Sequence, residues 1–209
     1  MTSSDFLSDS RRVFVADASV LINLNATECA REIIRALPGL FVATENAMAE
    51  LAAGARKGHP DAESVRALVG SGDMRIVELG ESGYSAYLPL IDGAAEQTLD
   101  DGEAATIAYA HEVGGVAVID ERKARTLCAV SFRRLALCST VDILTHQAVE
   151  LALGRELQAL AVRRALRNAR MQVPQHQVDA IVSLIGAEEA ASCPSLPRMR
   201  RPRESGEGV

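Results

Sequence analysis

The sequence predicts an α/β fold with three layers, α/β/α, around a central and mostly parallel sheet, followed by a C-terminal helical extension. Short runs of β-forming residues alternate with helical segments over most of the chain, which is typical of a parallel sheet covered on both faces. Aromatic residues make up only 3% of the 209 residues and Trp is absent, which argues against a β-sandwich packed on large rings. From about Gly154 onward the pattern is purely helical.

The predicted strands are short apolar runs that lie at 13–16, 40–43, 74–79, 116–119 and 135–139. Helical periodicity and capping signals predict helices at 17–26, 29–37, 45–54, 59–72, 99–115, 120–130, 141–153, 155–171 and 174–191. Thr44 is expected to cap the third of these helices and Gly54 to end it in the C′ position, while Thr140 is expected to cap the helix that follows the last strand. Residues 83–98 are predicted to be irregular or weakly helical.

A chain of this length supports one well-buried core with an appendage rather than two full domains. The predicted units are a flexible tail at 1–12, an α/β domain at 13–153, a helical extension at 154–191 and a disordered tail at 192–209. The last unit is predicted from its many Pro, Arg, Ser and Gly residues.

The bulk composition excludes several classes of protein. A net charge of -6 argues against wholesale binding of nucleic acid. Cys29, Cys128, Cys138 and Cys193 form no CxxC pair, so neither a zinc site nor a disulfide framework is predicted. No run approaches 18 apolar residues and the N-terminus lacks a signal sequence, so a cytoplasmic protein without membrane contact is expected.

Four carboxylates stand where open parallel sheets concentrate function, outside the carboxyl ends of strands. Asp17 directly follows the first strand and Asp120 directly follows the fourth. Glu50 lies in the helix after the second strand, and Glu103 lies in the first turn of the helix that leads into the fourth. Asp17 is the only charge in "VFVADASVLINL", and burying an uncompensated carboxylate there would cost several kcal/mol.

Two of these acids have an alternative, structural interpretation. Asp120 has the position of an N-cap residue, and Asp100 with Glu103 has the spacing of a capping box. Glu50 is harder to explain structurally because "AMAELAA" surrounds it with apolar residues. Several acids at one place would raise one another's pKa values unless a cation were bound, and the hard ions Mg²⁺ and Mn²⁺ suit such oxygen ligands. The matching chemistry is phosphodiester hydrolysis.

Four motifs carry a resemblance to a known family. In chain order, "DASVLINL", "ATENAMAEL", "LDDGEAATIAYA" and "VIDERKAR" resemble the four motif regions of the PIN-domain ribonucleases. The resemblance covers about residues 13–150 and is nearest to a bacterial subgroup of nucleic-acid-binding PIN proteins, which is related to the VapC-like toxin nucleases of type II toxin-antitoxin pairs. It implies a PIN-like nuclease domain at 13–153.

The resemblance also implies roles for individual residues. The catalytic, metal-binding acids would be Asp17, Glu50, Glu103 and Asp120, with Mg²⁺ or Mn²⁺ as cofactor, and Ser19 would be an auxiliary hydroxyl that helps to order the site. The chain departs from the family pattern in two places. Glu103 stands where many PIN domains have Asp, with Asp101 as an alternative ligand, and Val118 stands where a Thr or Ser is frequent.

Basic side chains supply candidate contacts to an RNA substrate. Arg122, Lys123 and Arg125 follow the fourth motif and are either phosphate contacts or a solvated helix face. A further basic stripe is predicted on one helix face by Arg163, Arg164, Arg167 and Arg170, whose role is left open between RNA, a protein partner and none. RNA is favoured over DNA only through the resemblance, which also implies a cognate antitoxin if the chain is a toxin. A homodimer is a further alternative.

Three functions are considered for a chain with these sequence features. The leading hypothesis is a metal-dependent endoribonuclease, a hydrolase of RNA phosphodiester bonds, with a toxin role in a toxin-antitoxin pair as its narrower form. The second is a catalytically idle PIN-fold module that binds nucleic acid or regulates. The third is a phosphatase of the haloacid dehalogenase type, which needs a second Asp two residues after the nucleophile, where this chain has Ser19.

Overall fold

The computed structural model describes residues 7–55 and 60–196, and the predictions for 1–6, 56–59 and 197–209 lie outside this part of the chain. The strands are β1 (Val13–Ala16), β2 (Leu40–Thr44), β3 (Met74–Val77), β4 (Val116–Val118) and β5 (Ala136–Cys138). The helices are α1 (Ala18–Ala26), α2 (Ala30–Ala36), α3 (Glu45–Ala55), α4 (Asp61–Gly70), α5 (Glu81–Ile91), α6 (Asp101–Val113), α7 (Arg122–Ser131), α8 (Thr140–Leu144), α9 (Gln147–Leu153), α10 (Arg155–Asn168), α11 (Val178–Ile185) and α12 (Ala187–Ala191).

The five strands form one sheet in the order β3-β2-β1-β4-β5, and every neighbouring pair is parallel. The chain builds outward from β1 to β3 and then crosses back to β4 and β5. The order therefore reverses between β1 and β4, which pair through Val15 and Ala117. Open α/β sheets place ligands in the crevice at such a reversal, outside the carboxyl ends of the strands. Asp17 and Asp120 follow those two strands.

Helices cover both faces of the sheet. Phe14 and Phe41, with ring centroids 5.1 Å apart, lie on the face that packs against α1–α4 and α8–α12. Val15, Val42 and Ala117 lie on the other face, under α5, α6 and α7. Burial on both faces explains why β1, β4 and β5 are apolar throughout rather than alternating, whereas the edge strand β3 contains the exposed Arg75. The predicted three-layer α/β/α fold is confirmed.

The ends of the described chain pack more tightly than the sequence predicts. Leu7, from the segment expected to be a flexible tail, is 1% exposed and belongs to the core. Cys193 and Leu196, from the segment expected to be disordered, are buried in the same cluster. Leu166 of α10 joins that cluster too. The helical extension thus shares the core of the α/β domain. At Gly154 the sequence pattern becomes purely helical, but the hydrophobic core continues across this residue.

One regular helix lies across the first part of a segment expected to be irregular or weakly helical. α5 runs from Glu81 to Ile91 although it contains Pro89. Tyr87 and Leu90 are buried against α6 and the sheet, so tertiary packing stabilises a helix that its Gly, Ser and Pro content does not favour.

Three helix ends differ from the prediction. Gly54 lies inside α3 and does not have the left-handed backbone of a C′ residue. The N-cap of α8 is Ser139 rather than Thr140, because Ser139 and Asp142 form a reciprocal capping box. The expected single helix after β5 is divided into α8 and α9 at His146, whose Nδ1 accepts a hydrogen bond from the Ala148 amide at 3.2 Å.

Two expectations from composition concern thiols and membranes. All four cysteines are free and buried, as expected for reduced thiols. None of the helices in the described part of the chain combines the length and the apolar character needed to cross a bilayer.

Replacing two glycines by alanine should change stability in opposite directions. A Cβ on Gly39 would lie 2.7 Å from the Arg12 carbonyl oxygen and against the Phe14 ring, so Gly39→Ala is expected to destabilise the fold by about 1–3 kcal/mol. A Cβ on Gly54 would meet no atom within 4 Å, so Gly54→Ala is expected to stabilise α3 by up to about 1 kcal/mol. Urea unfolding of both variants measures the difference, and equal midpoints would contradict it.

Candidate metal-binding site

Asp17 is buried at the junction of β1 and α1. Its Oδ2 accepts hydrogen bonds from the Ser19 amide at 3.2 Å and from the Ser19 hydroxyl at 2.8 Å. Its Oδ1 is buried and has no hydrogen-bond partner in the described chain. Burial raises the pKa of Asp17 despite the Ser19 hydrogen bonds, and the negative charge of Asp100 raises it further. The site therefore holds one oriented carboxylate with a free oxygen.

Asp120 is held by two neighbours that the sequence analysis did not connect with it. Its Oδ1 accepts from the Thr140 amide at 2.7 Å, and its Oδ2 accepts from the Thr140 hydroxyl at 2.5 Å and from Asn23 Nδ2 at 2.7 Å. Burial raises the pKa of Asp120 although these hydrogen bonds oppose it. The N-cap of α7 is Glu121, which accepts from the Ala124 amide, so the capping interpretation of Asp120 is wrong.

The capping box offered as a structural role for Glu103 forms only in part. Asp100 is the N-cap residue of α6 and its side chain makes no capping hydrogen bond, whereas a hydrogen bond from the Asp100 backbone N–H lowers the pKa of Glu103. Glu103 is half-buried. Burial raises its pKa to about 7, and the charges of Asp17, Glu121 and Asp100 contribute.

Glu50 is more exposed than its apolar neighbours in sequence suggest. Its carboxylate nevertheless lies against Gly102, where an added Cβ would be 2.6 Å from Glu50 Oε2 and 3.5 Å from Asp17 Oδ1. Partial burial raises the pKa of Glu50, and the charges of Asp17, Asp100 and Asp101 raise it further. Gly102 thus leaves open the space between two of the predicted acids.

The acids surround a single cavity of about 230 Å³ at the reversal point of the sheet. The four predicted acids all line it, together with two that sequence reasoning did not select, Asp100 and Glu121. The non-acidic lining residues are Ser19, Ile22, Asn23, Ala169, Arg170, Met171 and Gln172. The last four of these follow α10, so the helical extension supplies one wall of the cavity.

Asp101, the alternative ligand, is engaged elsewhere. Its Oδ1 accepts from the Tyr87 hydroxyl and its Oδ2 accepts from Asn46 Nδ2 at 2.9 Å. The hydrogen bond to Asp101 raises the pKa of Tyr87 to about 12. Asp101 does not line the cavity, which leaves Glu103 as the acid of this motif that faces it.

The candidate phosphate contacts divide into two groups. Lys123 Nζ donates to the Ala95 carbonyl at 2.6 Å and points away from the acids. Arg122 and Arg125 line a larger cavity of about 830 Å³ that also contains Asp120, although Arg125 donates to the Ile119 carbonyl at 2.9 Å. Two of the three predicted contacts are therefore next to the acidic cavity.

The predicted basic stripe on α10 is largely paired within the chain. Arg163 and Arg167 contact Glu189 at 2.9 and 2.6 Å, and Arg164 contacts Glu28 at 3.0 Å. These three side chains fasten α10 to α12 and to the end of α1. Of the four stripe residues, Arg170 is the one that lines the acidic cavity.

The residues fit a hard cation that keeps part of its water. In residues 7–55 and 60–196, no three His, Cys, Asp or Glu side chains lie close enough together to enclose an ion directly. Asp17 nevertheless lines a cavity together with five other acids, and its Oδ1 is buried without a hydrogen-bond partner in the described chain. Mg²⁺ typically retains several waters and takes only one or two carboxylates directly, which matches acids spaced around a cavity. Asp17, Glu50, Glu103 and Asp120 are the side chains that would hold it.

Glu103→Gln should stabilise the metal-free protein at neutral and higher pH. The pKa of Glu103 is about 7 in the folded chain against an ordinary value of 4.5. Because the folded state keeps this proton to higher pH than the unfolded state, the carboxyl costs stability progressively as pH rises from about 4.5 to about 7. Gln does not ionise, so in chelator at pH 8 the variant should gain about 1–2 kcal/mol, allowing for water around part of the side chain.

Melting curves of both proteins in chelator at pH 4.5 and pH 8 measure this effect. The difference between variant and wild type should be larger at pH 8. A difference that does not change with pH would contradict the raised pKa of Glu103.

A protein-family model with the description "DUF3368: PIN domain" matches residues 13–187 of the chain. The match begins at β1 and runs to the start of α12, so it includes the sheet, the four acids and the segment that follows α10. Its description names the PIN domain and no toxin subgroup. No curated protein and no solved structure matches the chain.

Proposed function

Because this chain belongs to the PIN-domain family, whose fold is of a nuclease type, we propose that it is a Mg²⁺- or Mn²⁺-dependent endoribonuclease that hydrolyses RNA phosphodiester bonds. The observation that carries the proposal is the acidic cavity at the reversal point of the sheet, lined by all four motif acids. Burial, together with the negative charges of neighbouring acids, raises the pKa values of Asp17, Glu50, Glu103 and Asp120, so a bound cation would favour their ionised forms.

The chain's own groups hold the acids in fixed directions. Ser19 fixes one oxygen of Asp17 and the other has no partner in the described chain, whereas Asn23 with Thr140 fixes both oxygens of Asp120. When bound, Mg²⁺ or Mn²⁺ would supply a water of lowered pKa as nucleophile and neutralise charge on the scissile phosphate. Ser19 and Thr140 thereby act as positioning residues, since each bonds a carboxylate and holds its direction.

The competing function is an idle PIN-fold module that only binds nucleic acid. Such a module has no need for Asp17 Oδ1, which is buried, unpartnered in the described chain and destabilising unless a cation compensates it. The retention of all four acids around one cavity also favours catalysis. RNA rather than DNA is proposed from the family, and single-stranded RNA is the accessible form because its bases are unpaired.

The narrower role is the toxin of a type II toxin-antitoxin pair. It requires a cognate antitoxin protein that covers the acidic cavity, and this role, the antitoxin and a homodimer stay predictions. Induced expression of a toxin should stop growth of the host cell, and expression of the Asp17→Asn variant should not. Equal growth under both would contradict the toxin role and leave the nuclease proposal standing.

Metal-dependent cleavage is the direct test of the proposed function. Purified full-length protein is incubated with a mixed RNA pool in Mg²⁺, in Mn²⁺ and in chelator, and the products are resolved on a denaturing gel. We expect internal cleavage in at least one metal and none in chelator. No cleavage in either metal, or equal cleavage in chelator, would contradict the proposal, and RNA binding without cleavage would support the idle module.

A further inference from the structure

Arg170 differs from every other residue that lines the acidic cavity. Six of the lining residues in the described chain are Asp or Glu, and Arg170 is the one positively charged residue in this lining. It comes from the segment after α10, which the four acidic motifs do not include. A cationic residue in the wall of a cavity lined by six acids needs an explanation from its own contacts.

Arg170 does not neutralise the acids by pairing with them. Its side chain is exposed and makes no ion pair or hydrogen bond within the described chain. The three other arginines of its stripe each have a partner within 3.0 Å, namely Glu189 for Arg163 and Arg167, and Glu28 for Arg164. Arg170 is thus the stripe residue whose guanidinium is left available to an external anion.

The backbone of Arg170 is strained where glycine is the usual residue. Its φ is 55°, in the left-handed region, directly after the end of α10. The ends of α4 and α6 use Gly72 and Gly114 for the same conformation. Met171 fixes this turn, because its amide donates to the Ala165 carbonyl at 3.1 Å and its side chain is buried, with 1% exposed. An arginine kept at such a position carries a cost that stability alone does not explain.

Glu28, the other non-glycine residue with positive φ in the described chain, has an evident compensation. Its φ is 62°, and its carboxylate pairs with Arg164 at 3.0 Å, which joins α1 to α10. Arg170 has no such contact. We therefore expect a bound ligand, rather than a contact within the described chain, to compensate the strained backbone of Arg170.

We propose that Arg170 is a substrate-binding residue that holds a phosphate group of single-stranded RNA at the rim of the acidic cavity. The planar guanidinium matches phosphate oxygens in two parallel hydrogen bonds. Gln172, two residues further on, lines both the acidic cavity and the larger cavity that contains Arg122 and Arg125. A strand whose phosphate is held by Arg170 can therefore continue toward those two arginines. This inference rests on the proposed RNA substrate.

The test separates substrate binding from folding through Arg170→Gly. Glycine relieves the left-handed strain, so the melting temperature of this variant should rise by about 2–4 °C. The same variant should bind a labelled single-stranded RNA roughly 10- to 100-fold more weakly in Mg²⁺, measured by fluorescence anisotropy in an Asp17→Asn background that is not expected to cleave. In the cleaving protein, KM should rise by more than kcat falls.

Two further variants serve as controls. Arg170→Lys keeps the charge and should recover part of the affinity. Arg155→Ala removes a charge from the far end of α10, where Arg155 contacts only Glu150 at 3.7 Å in the described chain, and should leave binding unchanged. A more stable Arg170→Gly variant with weakened binding supports the proposal, whereas unchanged binding in Arg170→Gly, or equal losses in Arg155→Ala, overturns it.

The outcomes also separate this inference from the proposed function. Metal-dependent cleavage that does not depend on Arg170 overturns the role of Arg170 and leaves the nuclease intact. Binding of RNA that depends on Arg170, in a wild-type protein that cleaves in no metal, overturns the nuclease and leaves the role of Arg170 intact.

Discussion

Asp17→Asn should lower the rate of RNA cleavage by at least about 1,000-fold while the protein stays folded. The substitution removes the negative charge of an acid that lines the cavity, and loss of the metal's several kcal/mol of transition-state stabilisation corresponds to at least this factor. The remaining amide oxygen can still accept the hydrogen bonds from the Ser19 amide and hydroxyl. Initial rates in saturating Mn²⁺ measure the effect.

A carboxylate outside the cavity provides the matched control. Asp92 is exposed at the end of α5 and does not line the cavity, so Asp92→Asn removes the same charge from a site without a role. It should cleave at the wild-type rate. Equal losses in the two variants, or an Asp17→Asn protein with lost circular dichroism, would point to a general effect on charge or folding instead.

Divalent metal should stabilise the wild-type protein strongly. A ligand present at 100 times its Kd adds about 2.7 kcal/mol to the free energy of unfolding, which for a chain of this size corresponds to roughly 5–10 °C in melting temperature. The gain should be larger at pH 8 than at pH 5, because the ligand carboxylates must lose their protons and their pKa values are raised. Excess chelator should reverse it.

The same melting experiment on variants identifies the place of binding. Asp17→Asn should lose most of the metal-dependent shift, and Asp92→Asn should keep it. A shift of equal size in Asp17→Asn would mean that the metal binds elsewhere on this acidic protein. No shift in the wild type at millimolar Mn²⁺ would mean that the cavity does not bind metal with useful affinity.

The sheet could be predicted from sequence because most of its strands are short apolar runs that are buried on both faces, with the edge strand β3 and its exposed Arg75 as the exception. α5 could not, because its helix depends on Tyr87 and Leu90 packing against α6, which local propensity does not contain. The burial of Leu7 and Leu196 was missed for a similar reason, since it depends on distant partners.

The four acids could be found because their motifs occur in a fixed order along the chain, although only Asp17 and Asp120 directly follow strands. Thr140 and Asn23 were missed because they act on Asp120 across 20 and 97 residues of chain, and no local pattern records such a contact. Asn23 did leave one signal, as a polar residue in the apolar run "VLINL". Arg170 was selected as a member of a basic stripe, but its left-handed backbone and its place in the cavity wall depend on the packing of Met171.

The central claim is that the acidic cavity holds a divalent metal ion. Anomalous diffraction from crystals grown with Mn²⁺ tests it most directly, because the signal locates the ion independently of activity. We expect a peak inside the cavity within about 2.2 Å of Asp17 Oδ1, with water completing its coordination. A strong peak at another group of acids, or no peak in the cavity at millimolar Mn²⁺, would contradict the account.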